Sequence, residues 1–313
     1  MLLFLRPSRN DRFRDGMRCF WIQSAASPHT PVSNCTRGGF AMRLCGSSDV
    51  YQPSRRTPAK SLNYVVSHDG FTLRDLVSYN QRHNLANGEY NRDGTSDNLS
   101  FNCGAEGPSD DPVIQALRQK LQRALLATTL LAQGTPMICA GDEIGHTQGG
   151  NNNPYCQDNT ITWINWLAAD NDLLAFTQHV LRLRHQLQPF HNQWYSGIAD
   201  IDGVYDLSWW QADGSVLQGD AWHHPLTRTL ACLVGHPGRS LLPLLLLVNP
   251  EASDAEFVLP RGQWQGLLDT AHPRGESRHQ GQGASHLTVA ANSMLLLQQT
   301  ASHTPQTMEQ TSL

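Results

Sequence analysis

The spacing of apolar and polar positions changes along the chain, and each change marks an element. In NDRFRDGMRCFWI, Phe13, Met17, Phe20 and Trp21 recur at helical spacing, with Asn10 or Asp11 placed to cap a helix over 10–22. A Ser/Pro/Thr/Ala-rich loop over 24–37 precedes a second helical piece, FAMRLCGSS. Leu62 to Val66 is a short apolar run that breaks at Ser67-His68-Asp69-Gly70. That is the pattern of a buried parallel strand delivering side chains to a pocket at its carboxyl end. A long loop dense in Asn, Arg, Asp and Gly follows. Asp110-Asp111-Pro112 then opens a helix, since Pro suits the first helical position and Asp the cap. Its core stripe is Val113, Ala116, Leu117, Leu121, Ala124, Leu125, Thr128 and Leu131, and Gly134 ends it. Pro136 to Ala140 reads as another buried strand, closed by Gly141-Asp142-Glu143 and followed by the polar loop HTQGGNNNPYCQDN. Asp172 to Leu187 predicts an amphipathic helix with Leu173, Leu174, Phe176, Val180, Leu181, Leu183 and Leu187 inside.

The middle of the chain therefore runs strand, long loop, helix, strand, long loop, helix. This alternation belongs to a parallel sheet with helices outside, and both long loops follow strands, where a (β/α) barrel keeps its site. From about Phe190 the pattern becomes short apolar runs between Gly, Pro and Asp turns, which predicts an antiparallel sandwich. Trp209, Trp210, Trp222 and Trp264 fall in that part and read as core. The stretch from Thr300 is polar and reads as a frayed tail.

Composition narrows the classes. The chain has 313 residues, 39% of them hydrophobic, and a formal charge of −4, so a core is feasible and no basic field invites nucleic acid. No apolar run is long enough to cross a bilayer, and the amino terminus lacks a signal-peptide pattern. The seven cysteines (Cys19, Cys35, Cys45, Cys103, Cys139, Cys156, Cys232) are scattered without a C-x-x-C pair, which argues for a reducing compartment and against a disulfide framework or zinc site. The 14 histidines show no metal-binding spacing and read as surface residues.

VVSHDGFTLRDLVSYNQRHNLANGEYNRDG, followed by LLATTLLAQGTPMICAGDEIGHTQGGNNNPYCQDN, resembles the isoamylase-type glycogen debranching enzymes of the α-amylase superfamily of glycoside hydrolases. NDRFRDGMRCFW and FAMRLCGSSDVY fit the same family, and the resemblance extends over most of residues 9–300. It implies the fold class α/β plus all-β: an incomplete (β/α)8 TIM barrel made of late strands and helices, then a C-terminal antiparallel β-sandwich. The expected organisation is a partial barrel over 1–190 with site loops 67–111 and 141–160, a sandwich over 191–300, and a disordered tail over 301–313.

The implied activity is hydrolysis of α-1,6-glucosidic branch linkages in glycogen or limit dextrin, in the cytoplasm, without a cofactor. Such enzymes use a carboxylate nucleophile and a second carboxyl as acid/base. By resemblance Asp69 matches a third acid that stabilises the transition state, and His68 matches a histidine that bonds sugar hydroxyls. The G-x-R-x-D nucleophile motif and the acid/base Glu are absent from the sequence. A full barrel needs roughly 250 residues, and the chain reads as starting after the fifth strand. The chain alone is accordingly expected to be inactive. Alternatives are a non-catalytic glucan-binding module, a fragment complementing a separate N-terminal half, or a decayed gene fragment.

Asn91, Arg92, Asp93 and Tyr155 have side chains that suit sugar, with Tyr90 as a further stacking candidate; Asn and Asp also build turns, and Tyr also packs. Asp142 and Glu143 sit at a strand end and are expected to brace their loop through backbone N–H groups.

Overall fold

The computed structural model describes residues 7–30, 35–155, 157–187, 190, 193–199, 203, 205–235, 242–283 and 285–300. The tail over 301–313 and Cys156 lie outside the described residues.

Strands β1 (Ser8–Arg9), β2 (Ser61–Asn63) and β3 (Thr135–Pro136) pair in parallel in that order, with Ser8 opposite Ser61 and Leu62 opposite Thr135. The helices are α1 (Asp11–Arg18), α2 (Ser24–Ala26), α3 (Arg37–Leu44), α4 (Ser48–Tyr51), α5 (Leu73–Leu76), α6 (Pro112–Leu131) and α7 (Asn171–Leu187). A π-helical turn over Cys19–Gln23 joins α1 to α2.

Caps formed where the sequence placed them. Asn10 accepts the Phe13 N–H at 3.0 Å, and its amide donates to the Ser47 and Ser61 hydroxyls at 2.9 and 2.8 Å. One buried side chain thus starts α1 and ties it to β2. Asp111 accepts the Val113 N–H at 2.8 Å and starts α6.

Both parallel strands are shorter than their apolar runs. Tyr64, Val65 and Val66 are buried but lie outside the ladder. The Val65 carbonyl accepts from the Arg18 guanidinium at 2.8 Å. After Met137, whose N–H reaches the Asn63 carbonyl at 2.7 Å, the segment to Ala140 leaves the sheet and is half-exposed to exposed, which corrects the expectation of a buried strand there. Among the described residues β3 has a strand neighbour on one side only.

Two core assignments also change. Val113 is 75% exposed and Ala116 is exposed, because the first turns of α6 project beyond the body, whereas residues 121–131 are buried on every face. Leu181 of α7 faces solvent.

The later chain forms a six-stranded antiparallel sheet in the order β4 (Leu207–Trp210), β5 (Leu230–Val234), β6 (Leu244–Asn249), β11 (Ser293–Gln299), β8 (Gln263–Asp269), β9 (Gln280–Gln282). β7 (Ala255–Val258) and β10 (His286–Val289) form a separate antiparallel pair. Every residue of β6 is buried. Leu244, Leu246 and Val248 join the core shared with α6 and α7, while Leu245 and Leu247 pack with Phe257 and Val289 of the β7–β10 pair. A strand covered on both faces needs a continuous apolar run rather than alternation, which is what LLLLVN supplies.

Arginines join the layers. Arg123 of α6 donates to the Thr270 and Ala271 carbonyls at 2.7 and 3.2 Å. Arg184 of α7 donates to the Ala132 and Gly134 carbonyls at 2.9 and 2.6 Å, satisfying acceptors left open at the end of α6.

The cysteines hold one surprise. The π-helical turn brings Cys19 to a Cα–Cα distance of 5.2 Å from Cys35, and the two are joined in a disulfide. The expectation of thiols throughout is corrected at this pair; Cys45, Cys103, Cys139 and Cys232 are free.

Candidate functional site

His68 and Asp69 follow the buried Tyr64–Ser67 segment directly, beyond the carboxyl end of β2. Their side chains are 77% and 73% exposed, with His68 Nε2 at 3.3 Å from Asp69 Oδ2. The turn that presents them is held from beneath. Arg9 Nη2 donates to the Ser67 hydroxyl at 2.9 Å, which donates to the Asp69 carbonyl at 3.3 Å. Gly70, at φ +96°, gives its N–H to the Asn152 carbonyl at 3.0 Å, so the first loop is pinned to the second. Arg9, Val66, Ser67, His68, Met137 and Ile138 line a cavity of about 330 Å³ at the ends of the three parallel strands.

The two long loops interlock through side-chain amides. Asn84 donates to Asn152 Oδ1 at 2.9 Å and accepts the Asn152 N–H at 3.0 Å. Asn152 Nδ2 in turn donates to Thr95 O and Asn98 Oδ1 at 2.8 and 3.0 Å. Asn87 and Asn153 both donate to Asp93 Oδ2, at 2.7 and 2.8 Å, and with these bonds its carboxyl stays below the usual carboxylate range.

Two of the sugar candidates belong to this lock. Asn91 accepts the Asn84 N–H at 2.7 Å and donates to the Arg82 carbonyl at 3.1 Å; Asp93 is held as just described. Arg92 and Tyr155 are exposed, and the Arg92 guanidinium lies over the Tyr90 ring at 5.3 Å. His68 and Asp69 stay outside the amide network, joined to it through the Gly70 backbone.

Three buried charges do the positioning, and of these only Asp142 was singled out from sequence, as a loop brace. Asp75, in α5, accepts from the Gln148 and Gly150 N–H groups at 2.8 and 3.3 Å and from the Thr147 hydroxyl. Burial raises its pKa against the pull of those bonds. Asp142 accepts the Leu73 N–H at 2.9 Å, and burial pushes its carboxyl up to about 7. Arg18 donates to the Val65 and Asn98 carbonyls, both at 2.8 Å, and burial lowers it to about 10, so it keeps its charge at neutral pH. The local cue to Asp75 was Thr72, three residues before it, whose hydroxyl accepts the Asp75 N–H at 3.1 Å as a helix cap. Glu143 accepts the Gly141 N–H at 2.9 Å, so both acids of the 142–143 pair brace loops.

The fold is that of the pullulanases. The pullulanase of Bacillus acidopullulyticus matches with a TM-score of 0.62 at 20% identity, over 93% of this chain and 30% of that one. The catalytic module of the glycogen-degrading pneumococcal virulence factor SpuA matches with a TM-score of 0.63 at 15% identity, over 94% of this chain and 43% of that one. Sequence narrows the class further. The chain is 41% identical over 310 residues, 93% of its length, to a "glycogen operon protein GlgX homolog" of Mycobacterium tuberculosis, covering 42% of that relative. It is 44% identical over 257 residues, 82% of its length, to the glycogen debranching enzyme of Dickeya chrysanthemi, covering 36% of it. The chain is therefore a homologue of the glycogen debranching enzymes, corresponding to their carboxyl-terminal part. It spans about two fifths of the length of the curated relatives it matches. No protein-family model matches it.

Proposed function

We propose that the chain carries one wall of an α-1,6-glucosidase site for glycogen or limit dextrin, and that these 313 residues alone do not hydrolyse it. The observation that carries the reading is the 41% identity to a glycogen operon protein across nearly the whole chain, which includes the segment SHDGFTLRD. In this reading β1, β2 and β3 are late strands of a (β/α) barrel and the antiparallel part is the sandwich domain that follows it. Asp69 serves as the transition-state-stabilising acid, and His68 as a contact to sugar hydroxyls. The amide-locked loops hold both in place, and Arg92 and Tyr155 are exposed enough to meet a glucan.

Retaining hydrolysis needs a nucleophile and a proton donor about 5 Å apart across the scissile bond. Asp69 pairs with His68 at 3.3 Å, and the G-x-R-x-D nucleophile motif is absent from the sequence. Groups of this kind act as a unit, so a lone third acid leaves a rate lower by several orders of magnitude. Glycogen as substrate would set the protein in the cytoplasm.

A second reading has its own support. Among the described residues β1 and β3 each have one strand neighbour, which leaves two edges able to receive strands from a separate polypeptide carrying the first part of the barrel.

The test is release of reducing ends from branched limit dextrin by the purified chain. We expect none above background. Turnover that vanishes in Asp69→Asn would show the chain to be an enzyme by itself.

A further inference from the structure

Away from His68 and Asp69 lies a groove of about 1190 Å³ that shares no lining residue with the cavity beside them. One wall is α1 and α3 with the turn after α3, which contribute Arg12, Asp15, Arg43 and Asp49; facing it, β4 and the 3₁₀ turn Gly219–His223 contribute Trp209 and Trp222. Small residues let the walls approach. A Cβ on Gly16 would meet Arg43 Cγ at 3.0 Å, and one on Gly38 would meet His223 Cε1 at 3.4 Å. The Cys19–Cys35 disulfide ties the end of α1 to the residue before Thr36, the N-cap of α3, and so fixes the first wall.

The chemistry of the groove is specific. Trp209 and Trp222 are half-buried, pack against the main core on one side, and meet edge to face at 5.7 Å between centroids. Asp49 takes Arg43 Nη2 at 2.6 Å and Arg12 Nη1 at 3.0 Å. Arg43 is nine-tenths buried, and its Nη1 has no hydrogen-bond partner. Two arginines and two aspartates give the lining no net formal charge, so neither a polyanion nor a polycation is favoured. The volume exceeds the roughly 300–1,000 Å³ of clefts for small molecules.

We propose that this groove is a second carbohydrate site that holds a neutral α-linked glucan chain apart from the His68–Asp69 edge. The proposal rests on the glucan reading above. An indole face matches the apolar face of a pyranose. The fixed guanidinium–carboxylate set offers hydroxyl groups both donors and an acceptor in a constrained plane. A groove of this length would take several sugar units in a row and keep a branched polymer on the protein while its branch point is presented elsewhere.

The experiment is calorimetric titration of the full chain with maltoheptaose. The wild type is compared with His68→Ala/Asp69→Asn, and with that double variant carrying either Trp222→Ala or Arg12→Ala. We expect the double variant to keep binding, Trp222→Ala to weaken it about tenfold, and the exposed Arg12→Ala to weaken it severalfold. Arg12→Ala serves where Trp222→Ala perturbs folding. Binding that disappears in the double variant, or that ignores both groove substitutions, overturns the second site and leaves the glucan reading standing. If the wild type itself binds no maltoheptaose, the second site falls, while the one-wall reading is decided by the limit-dextrin assay.

Discussion

Asp142 shows how one side chain serves position at a cost in stability. Its carboxyl is fully buried, holds the first N–H of α5, and titrates near 7 instead of 3.8. Below about pH 4 it is protonated in folded and unfolded states alike, and contributes no penalty. As pH rises from about 4 through 7 the unfolded chain ionises while the folded one resists, so stability falls across that window. Asp142→Asn keeps an acceptor for Leu73 and removes the charge. Unfolding free energies from urea titrations between pH 4 and 8 should fall for the wild type by on the order of a few kcal/mol relative to the variant. Parallel pH profiles would contradict this. The sequence exposed His68 and Asp69, because a strand-to-turn break marks where side chains reach a pocket. It hid the partners of Asp75 and Asp142, because these lie about 70 residues away in the chain. A long-range hydrogen bond leaves no local pattern.

At the scale of elements, the helices were legible from period and cap for α1, from period, cap and stop signal for α6, and from period alone for α7. The parallel strands were not, because their length is set by what lies beside them. Arg18 takes a carbonyl that a ladder would have used, and β3 has one neighbour among the described residues. The Cys19–Cys35 pair was missed because it depends on a π-helical turn that spacing does not announce. The long loops read as turn-building with a few residues suited to sugar, and Asn91, Asp93 and Asn152 spend their polar atoms on each other's segments. Asn152 is buried and makes four hydrogen bonds to three residues of the first loop, Asn84, Thr95 and Asn98. Asn152→Ala strands buried donors and acceptors and should cost roughly 1–3 kcal/mol. Limited proteolysis should then open residues 85–100 faster than in the wild type. Unchanged cleavage there would argue that the amide lock is not what orders the loop.

Across the whole molecule, one core runs from α1 through α6 and α7 to the inner face of the six-stranded sheet. Arg123 and Arg184 bind its layers by carbonyls that would otherwise be buried without donors. The parallel sheet that leads to His68 and Asp69 therefore stands on a large packed base, although it has three short strands among the described residues. That contrast, a firm support under an edge with one acid, motivates the central claim: Asp69 belongs to a debranching site whose nucleophile and proton donor reside outside these residues. The most direct measurement is debranching activity after co-expression with a separate polypeptide carrying the preceding part of a glycogen debranching relative. The account predicts that neither chain alone releases reducing ends from limit dextrin, that the pair does, and that Asp69→Asn in this chain abolishes the recovered activity. Hydrolysis by this chain alone, or a recovered activity indifferent to Asp69→Asn, would contradict it.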